Sequence, residues 1–216
     1  EGKGLLFKIF ADIDVFDIEV DTKDVDKFIE TVKNISPTFG GINLEDIKAP
    51  ESFEIERRLV EELNIPVMHD DQHGTAIISS AALLNAVELA GKKMEDVKMV
   101  ISGAGSAAIA CANLYVSFGV KPENVVMFNS KGALRKDDPR VSDMQRVYAT
   151  DKHYDDLAHA MKGADVFIGL SSGDIVTPEM LLGMADNPIV FAMANPTPEI
   201  NYNLAIDTRK DIIMAT

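Results

Sequence analysis

From about Lys98 onward, short runs of continuous apolar residues alternate with segments of helical period. Residues 98–102 form one such run and lead straight into Gly103-Ala104-Gly105. Residues 106–118 are small and apolar enough for a buried helix, and Gly119 suits its C-terminal cap. A second strand is predicted over 125–128, a helix over 154–161 and a third strand over 165–169. Thr177 caps a further helix with Pro178 at its first position. Strands are predicted again over 188–193 and 212–214. Strands that are apolar throughout and separated by helices predict a parallel sheet covered on both faces.

The first third is less regular. Residues 4–11 read as a buried helix. Thr22 is placed to cap an amphipathic helix reaching about Lys33, and 37–43 reads as extended. Pro50 opens a helix with Phe53, Ile55, Leu59, Val60 and Leu63 near one side. Residues 66–68 predict a short strand. A long helix of small residues over 75–90 joins the two regions, and a soft domain boundary falls near 71–76. The expected organisation is an α/β chain, with a smaller segment over 1–71 and a parallel-sheet domain over 72–216.

Composition changes this picture in few respects. At 216 residues with 46% apolar content, the chain can bury a sizeable core. A formal net charge of -14 argues against a nucleic-acid groove and against an anionic membrane surface. An anionic substrate stays open, because a bound cation reverses the local sign. The single cysteine, Cys111, allows no intrachain disulfide and suggests a reducing compartment. No apolar run approaches membrane-spanning length. The chain starts at Glu1 and stops on a strand pattern, so both ends read as cut from a longer protein.

Strand, then Gly103-x-Gly105-x-x-Ala108, then helix is the dinucleotide-binding order. The first glycine makes the tight turn, and the second lets backbone N–H groups approach a pyrophosphate at the positive helix end. Alanine in the third place still permits close helix–strand packing. The second strand ends in Asn129, where an acidic residue would hold the ribose 2′-hydroxyl of NAD. Without that charge a 2′-phosphate is not repelled, and Lys131, with Arg135 and Lys136 further on, would attract one. This leans toward NADP, with NAD as the other option; a solvated loop with ordinary lysines explains the same residues about as well.

Two acidic clusters precede the turn: Glu45-Asp46 in FGGINLEDIKAP and Asp70-Asp71 in IPVMHDDQHGTA. Carboxylates are hard oxygen ligands suited to Mg²⁺ or Mn²⁺. Neighbouring residues of a regular element point apart, so Glu45 and Asp46 can share an ion only at an irregular strand end. Either cluster alone reads more readily as solvated loop. His69 and His73 are four apart, but the zinc-protease pattern needs glutamate after the first histidine on a helix, and here a strand end is expected. Lys3, entering the apolar run, is by residue type an ordinary surface lysine.

The blocks EGKGLLFKIFADIDVFDIEV, FGGINLEDIKAPESFEIE, IPVMHDDQHGTA, ISGAGSAA, GADVFIGLS and FAMANPTPEI resemble the malic enzymes. The resemblance is to the bacterial type, whose members can be short or carry a C-terminal phosphotransacetylase-like domain. It implies a Rossmann-like nucleotide domain preceded by part of a smaller α/β malic domain. The implied activity is oxidative decarboxylation of (S)-malate to pyruvate and CO₂ with reduction of NAD(P), in a cytoplasmic homodimer or larger oligomer. The resemblance further implies Glu45, Asp46 and Asp71 as ligands of Mg²⁺ or Mn²⁺, and Lys3 as the base for the malate 2-hydroxyl. Asp70 becomes a neighbouring carboxylate that tunes the site. Gly103, Ala104, Gly105, Ser106 and Ala107 would approach the cofactor pyrophosphate, and Asn195 would lie near the nicotinamide. The family's proton-donating tyrosine lies upstream of the position matching Glu1. A nucleotide-sensing module and a hydrolase using His69, His73 and a carboxylate are the competing readings.

Overall fold

The computed structural model describes residues 2–48 and 50–216. The chain divides into two compact units, Glu1–Met68 and His69–Thr216.

In the first unit, helices α1 (Gly2–Ala11) and α2 (Val25–Ile35) precede strand β1 (Ile42–Leu44), helix α3 (Glu51–Glu62) and strand β2 (Val67–His69). β1 and β2 form a two-stranded sheet. Ile29 and Val32 of α2, Leu44 of β1 and Ile55 and Leu59 of α3 make its core. Several expectations are corrected here. The cap of α2 is Asp24, whose carboxylate accepts from the Lys27 amide, while the Thr22 hydroxyl accepts from Asp24 N. The first part of 37–43 is a 3₁₀ turn, Ser36–Thr38, because Pro37 suits the first turn of a helix. Val60 is 53% exposed; α3 buries Ser52, Ile55 and Leu59 instead, a narrower stripe than the apolar residues suggest.

The helix at 4–11 forms, but it is not buried. Leu5, Leu6, Ile9 and Phe10 are all more than half exposed. Gly4 lies against Val15, so the chain folds back on α1 along one line only. Apolar composition states that a segment favours cover; it does not supply the covering surface.

The second unit opens with α4 (Asp70–Leu89), followed by β3 (Met99–Ser102), α5 (Ser106–Ser117), β4 (Val125–Asn129) and β5 (Gly132–Ala133). Then come α6 (Asp143–Arg146), α7 (Leu157–Met161), β6 (Val166–Gly169), α8 (Pro178–Leu182), β7 (Ile189–Ala192), α9 (Tyr202–Thr208) and β8 (Ile213–Ala215). The sheet order is β5-β4-β3-β6-β7-β8, parallel except for the short edge strand β5. β3, β6 and β7 are buried at every position, the pattern that continuous apolar runs predict. Met99 and Ile101 pack on the same side as Leu83 and Val87 of α4 and Cys111 and Tyr115 of α5. Val100, Phe167 and Val190 pack on the other, with Met161, Leu181 and Ala205. Tyr115 donates to the Ser79 hydroxyl at 2.7 Å, which satisfies the phenol inside the α4–α5 contact.

Helix α4 begins five residues earlier than the small-residue pattern indicates. The Asp70-Asp71 cluster reads as a loop after a strand end, yet both residues occupy the first helical turn. Negative side chains there complement the helix dipole. The helix expected over 154–161 starts later, at Leu157, where the Asp156 carboxylate caps it through His159 N. Thr177 caps α8 with Pro178 at the first position, as expected.

A charged staple joins the last strand to its neighbours. Arg209 donates to the Leu181 and Met184 carbonyls and to both carboxylate oxygens of Asp211. Asp211 also accepts from the Asn187 amide, just before β7. The guanidinium and that amide hold its carboxyl down at about 2, against an ordinary 3.8. A depressed carboxylate stabilises the fold above its unfolded pKa and loses that contribution as pH falls through the folded one. Asp211→Asn should therefore be less stable than the parent chain at neutral pH, with the gap closing between about pH 4 and pH 2. Urea unfolding at stepped pH checks it; a gap that persists unchanged at pH 2 would contradict the staple's ionic part.

Candidate functional site

The sheet order places β4 on one side of β3 and β6 on the other, so the chain reverses direction between β3 and β6. Ligands of open α/β sheets bind outside the carboxyl ends of the strands at such a switch point. A cleft of about 550 Å³ lies there, lined by residues following β3 (Gly103, Ala104, Gly105), β4 (Asn129, Ser130) and β6 (Leu170, Ser171, Ser172).

The two motif glycines are glycine for different reasons. Gly103 has φ +130°, and a Cβ there would sit 2.7 Å from the Leu170 carbonyl oxygen. Its amide donates to the Phe128 carbonyl, which ties the turn to β4. Gly105 has ordinary dihedrals, and a Cβ there would meet no atom of the chain within 4 Å. Packing does not demand its bareness; close approach of something outside the chain would. Gly105 is the N-cap of α5 without a side-chain cap. The Ser106 and Ala107 amides thus stand in a first turn that has no intrahelical acceptors for them. Ala108 is 2% exposed, the close helix–strand packing expected of the third motif position. A bare N-cap, an uncapped twelve-residue helix and a cleft at the switch point fit a nucleotide pyrophosphate.

Among the other nucleotide-site expectations, Asn129 lines the cleft, and its side-chain oxygen accepts from Lys131 N at 2.8 Å. Lys131 is exposed and outside the cleft lining. Arg135 is engaged by Asp137 at 3.0 Å, and Lys136 by Asp151, beyond α6, at 2.7 Å. Asn195 is exposed and also outside the lining. Gln145 is a residue the sequence did not point to. Its Oε1 accepts from Ser142 N in a capping box, and its Nε2 donates to the Ala104 carbonyl at 2.8 Å. The only local signal was Ser142-x-x-Gln145, which marks a helix start and not a tether to the glycine turn.

The acidic residues lie at irregular backbone positions. Glu45 follows directly on β1, and Asp46 has φ +57°, a left-handed conformation that asparagine and aspartate tolerate better than most residues. That kink removes the strict alternation which would otherwise point the two carboxylates apart. Lys3 Nζ lies 2.9 Å from the Glu45 carboxylate, and both side chains are over one-third exposed. In the second unit, a Cβ on Gly74 would lie 2.6 Å from an Asp70 carboxylate oxygen. The Asp70 side chain therefore folds back over a glycine one turn on, while Asp71 leaves the helix about 100° around. In each unit the acidic pair offers carboxylate oxygens, a donor type that suits a hard divalent cation. His69 is fully buried and His73 exposed, so the histidine pair does not present one coordinating face.

A doubly wound, mostly parallel sheet with a glycine turn and an uncapped helix at its switch point defines a Rossmann-type dinucleotide-binding fold. The family model for the malic enzyme NAD binding domain matches residues 72–212, and that for the malic enzyme N-terminal domain matches residues 1–60. The chain belongs to the malic enzyme family. It is 53% identical over 216 residues to the NADP-dependent malic enzyme of Halomonas elongata, covering all of this chain and 51% of that protein. To the NAD-dependent malic enzyme of Rhizobium meliloti it is 52% identical over 217 residues, covering all of this chain and 28% of that one. The crystal structure of the NAD-dependent malic enzyme from Thermotoga maritima superposes with a TM-score of 0.90 at 44% identity, covering all of this chain and 58% of that one. The chain thus spans between 28% and 58% of the length of these relatives. No helix among the described residues is long and apolar enough to cross a membrane.

The glycine pair gives a direct test. Gly103→Ala should cost roughly 1–3 kcal/mol in urea unfolding, from the strained φ and the approach to Leu170. Gly105→Ala should cost under about 1 kcal/mol, the N-cap preference alone. Equal losses would contradict the distinction.

Proposed function

We propose that the protein carrying this chain oxidises (S)-malate and decarboxylates it to pyruvate and CO₂, reducing NADP. The observation that carries this reading is the similarity to malic enzymes along the whole chain, through both units, at about half identity.

Glu45, Asp46 and Asp71 hold the divalent cation, Mg²⁺ or Mn²⁺, and Asp70 shapes its surroundings. The turn from Gly103 to Ala107 holds the cofactor pyrophosphate through backbone N–H groups, and Asn195 lies toward the nicotinamide. When bound, the nucleotide accepts the hydride from malate C2, and the cation supplies the Lewis acidity that decarboxylation needs. Lys3 takes the proton from the 2-hydroxyl; its amine already stands beside Glu45. The NADP preference rests on Asn129, which brings no negative charge to the ribose end, and on the nearby Lys131 cation. The similar proteins include NADP- and NAD-dependent enzymes alike, so the two residues carry that preference alone. A homodimer or larger oligomer in the cytoplasm accompanies this reading, supported by the family resemblance and by a lone, buried thiol.

Four measurements on the full-length protein test the proposal. Malate should give reduced nucleotide and pyruvate with Mg²⁺ or Mn²⁺ and not after chelation. Asp71→Asn should lower turnover by at least about a hundredfold while nucleotide affinity stays within about threefold. Nucleotide binding with no malate turnover in the parent protein would instead support a sensing module. Lys3→Ala should lower kcat by about a hundredfold or more; near-normal turnover would remove Lys3 from the chemistry. A higher kcat/KM with NAD than with NADP would overturn the preference.

A further inference from the structure

Glu199 is fully buried, and nothing in the proposed chemistry uses it. Its carboxylate spans two loops. One oxygen accepts from Ser171 N at 3.2 Å, and the other accepts from Ala194 N at 3.1 Å. These amides hold equivalent places. Leu170 N donates to Ser102 O and Met193 N to Gly169 O, the last backbone bonds that β6 and β7 make to their neighbours as they leave the sheet. Ser171 N and Ala194 N are the next donors along each chain. Glu199 therefore supplies, for both strands at once, the acceptors that a continuing sheet would have supplied.

The surroundings are shaped for this carboxylate. A Cβ on Gly169 would overlap it, and a Cβ on Gly173 would sit 2.7 Å from Thr197, two residues before it. The Glu199 carbonyl accepts from Val176 N, and the Pro198 carbonyl accepts from Asp174 N. The loop bearing Glu199 is thus laced to the loop after β6 on both sides. Burying a carboxylate is costly unless its oxygens are hydrogen-bonded, and both oxygens of Glu199 are. A side chain that accepts on both oxygens here acts on two strand exits at once, and one of them bounds the cleft. One exit carries Leu170, Ser171 and Ser172 of the cleft wall, with the Ser171 hydroxyl 2.8 Å from that of Ser102. The other leads directly to Asn195.

We propose that Glu199 is a positioning residue for the nicotinamide half of the cofactor, locking the Ser171 wall and the Asn195 segment in one register. The proposal rests on the malate-oxidising reading and deepens it. The lock acts on the reacting end of the nucleotide and leaves the adenosine end to the Gly105 turn and Asn129.

The test is Glu199→Gln in the full-length protein. The amide keeps the shape but turns an NH₂ toward one of the two backbone donors, so one loop loses its acceptor. Turnover should fall at least about tenfold. Affinity for NADP should weaken, while affinity for ADP, which lacks the nicotinamide, stays within about threefold. A merely structural role would lower thermal stability and move both affinities together. A folded variant with kcat and both affinities within about twofold of the parent overturns the inference. If the variant does not fold, amide exchange in the unliganded parent protein decides. Ser171 and Ala194 should be protected far beyond free loop amides, and exchange at loop rates overturns the lock. Malate turnover by the parent protein is measured alongside. Its absence refutes the functional reading and takes this inference with it; its presence beside an unaffected variant refutes the inference alone.

Discussion

Strand β3 is paired in parallel on both sides, from Met99 to Ser102, with β4 through Val125 to Phe128 and with β6 through Val166 to Gly169. That double pairing governs the carboxyl edge of the whole sheet. A strand bonded on both edges must leave the sheet between two neighbours that are also leaving it, and the three exits compete for the same space. Gly103 resolves the crowding by running so near the Leu170 carbonyl that no side chain fits between them. The cleft is what remains between the exits once that crossing is made.

The same constraint explains why polar groups gather at this edge of a sheet that is otherwise apolar through and through. Inside the sheet each amide has a neighbouring strand. Beyond the last ladder bond it has none, and a buried amide without an acceptor is costly. Glu199 answers that shortage at two exits, while Gln145 donates to the Ala104 carbonyl and the Ser102 and Ser171 hydroxyls pair with each other. Each holds one wall of the cleft in place while leaving the α5 amides uncovered.

How much the sequence made legible depends on which contacts are local. The five parallel strands of the large sheet were readable because burial leaves them nearly continuous apolar runs, whereas the two-residue edge strand β5 has no such pattern. The glycine turn was readable because its residue signature spans only six positions, Gly103 to Ala108. The start of α4 was misjudged because Asp70, Asp71 and Gly74 weaken helix propensity one by one, whereas the dipole and the junction with β2 act together. The exposure of α1 ran against its composition, since apolar residues record a demand for cover and not its source. Gln145 and Glu199 were missed for another reason. Each has a partner far along the chain, 41 residues away for Gln145 and 28 for Glu199, and nothing beside either residue hints at that distant carbonyl or amide.

Gly74 shows what a functional helix gives up. In the interior of α4 alanine would be favoured over glycine by about 1 kcal/mol. The glycine stands there because the Asp70 carboxylate occupies the place a methyl group would take. Helix stability and the present position of the Asp70 carboxylate therefore compete for a single carbon's volume. Any search for hardier versions of this protein that scores only resistance to heat is drawn toward alanine at that position. The chain it selects would be better folded and would have its Asp70 turned away from where the present backbone holds it.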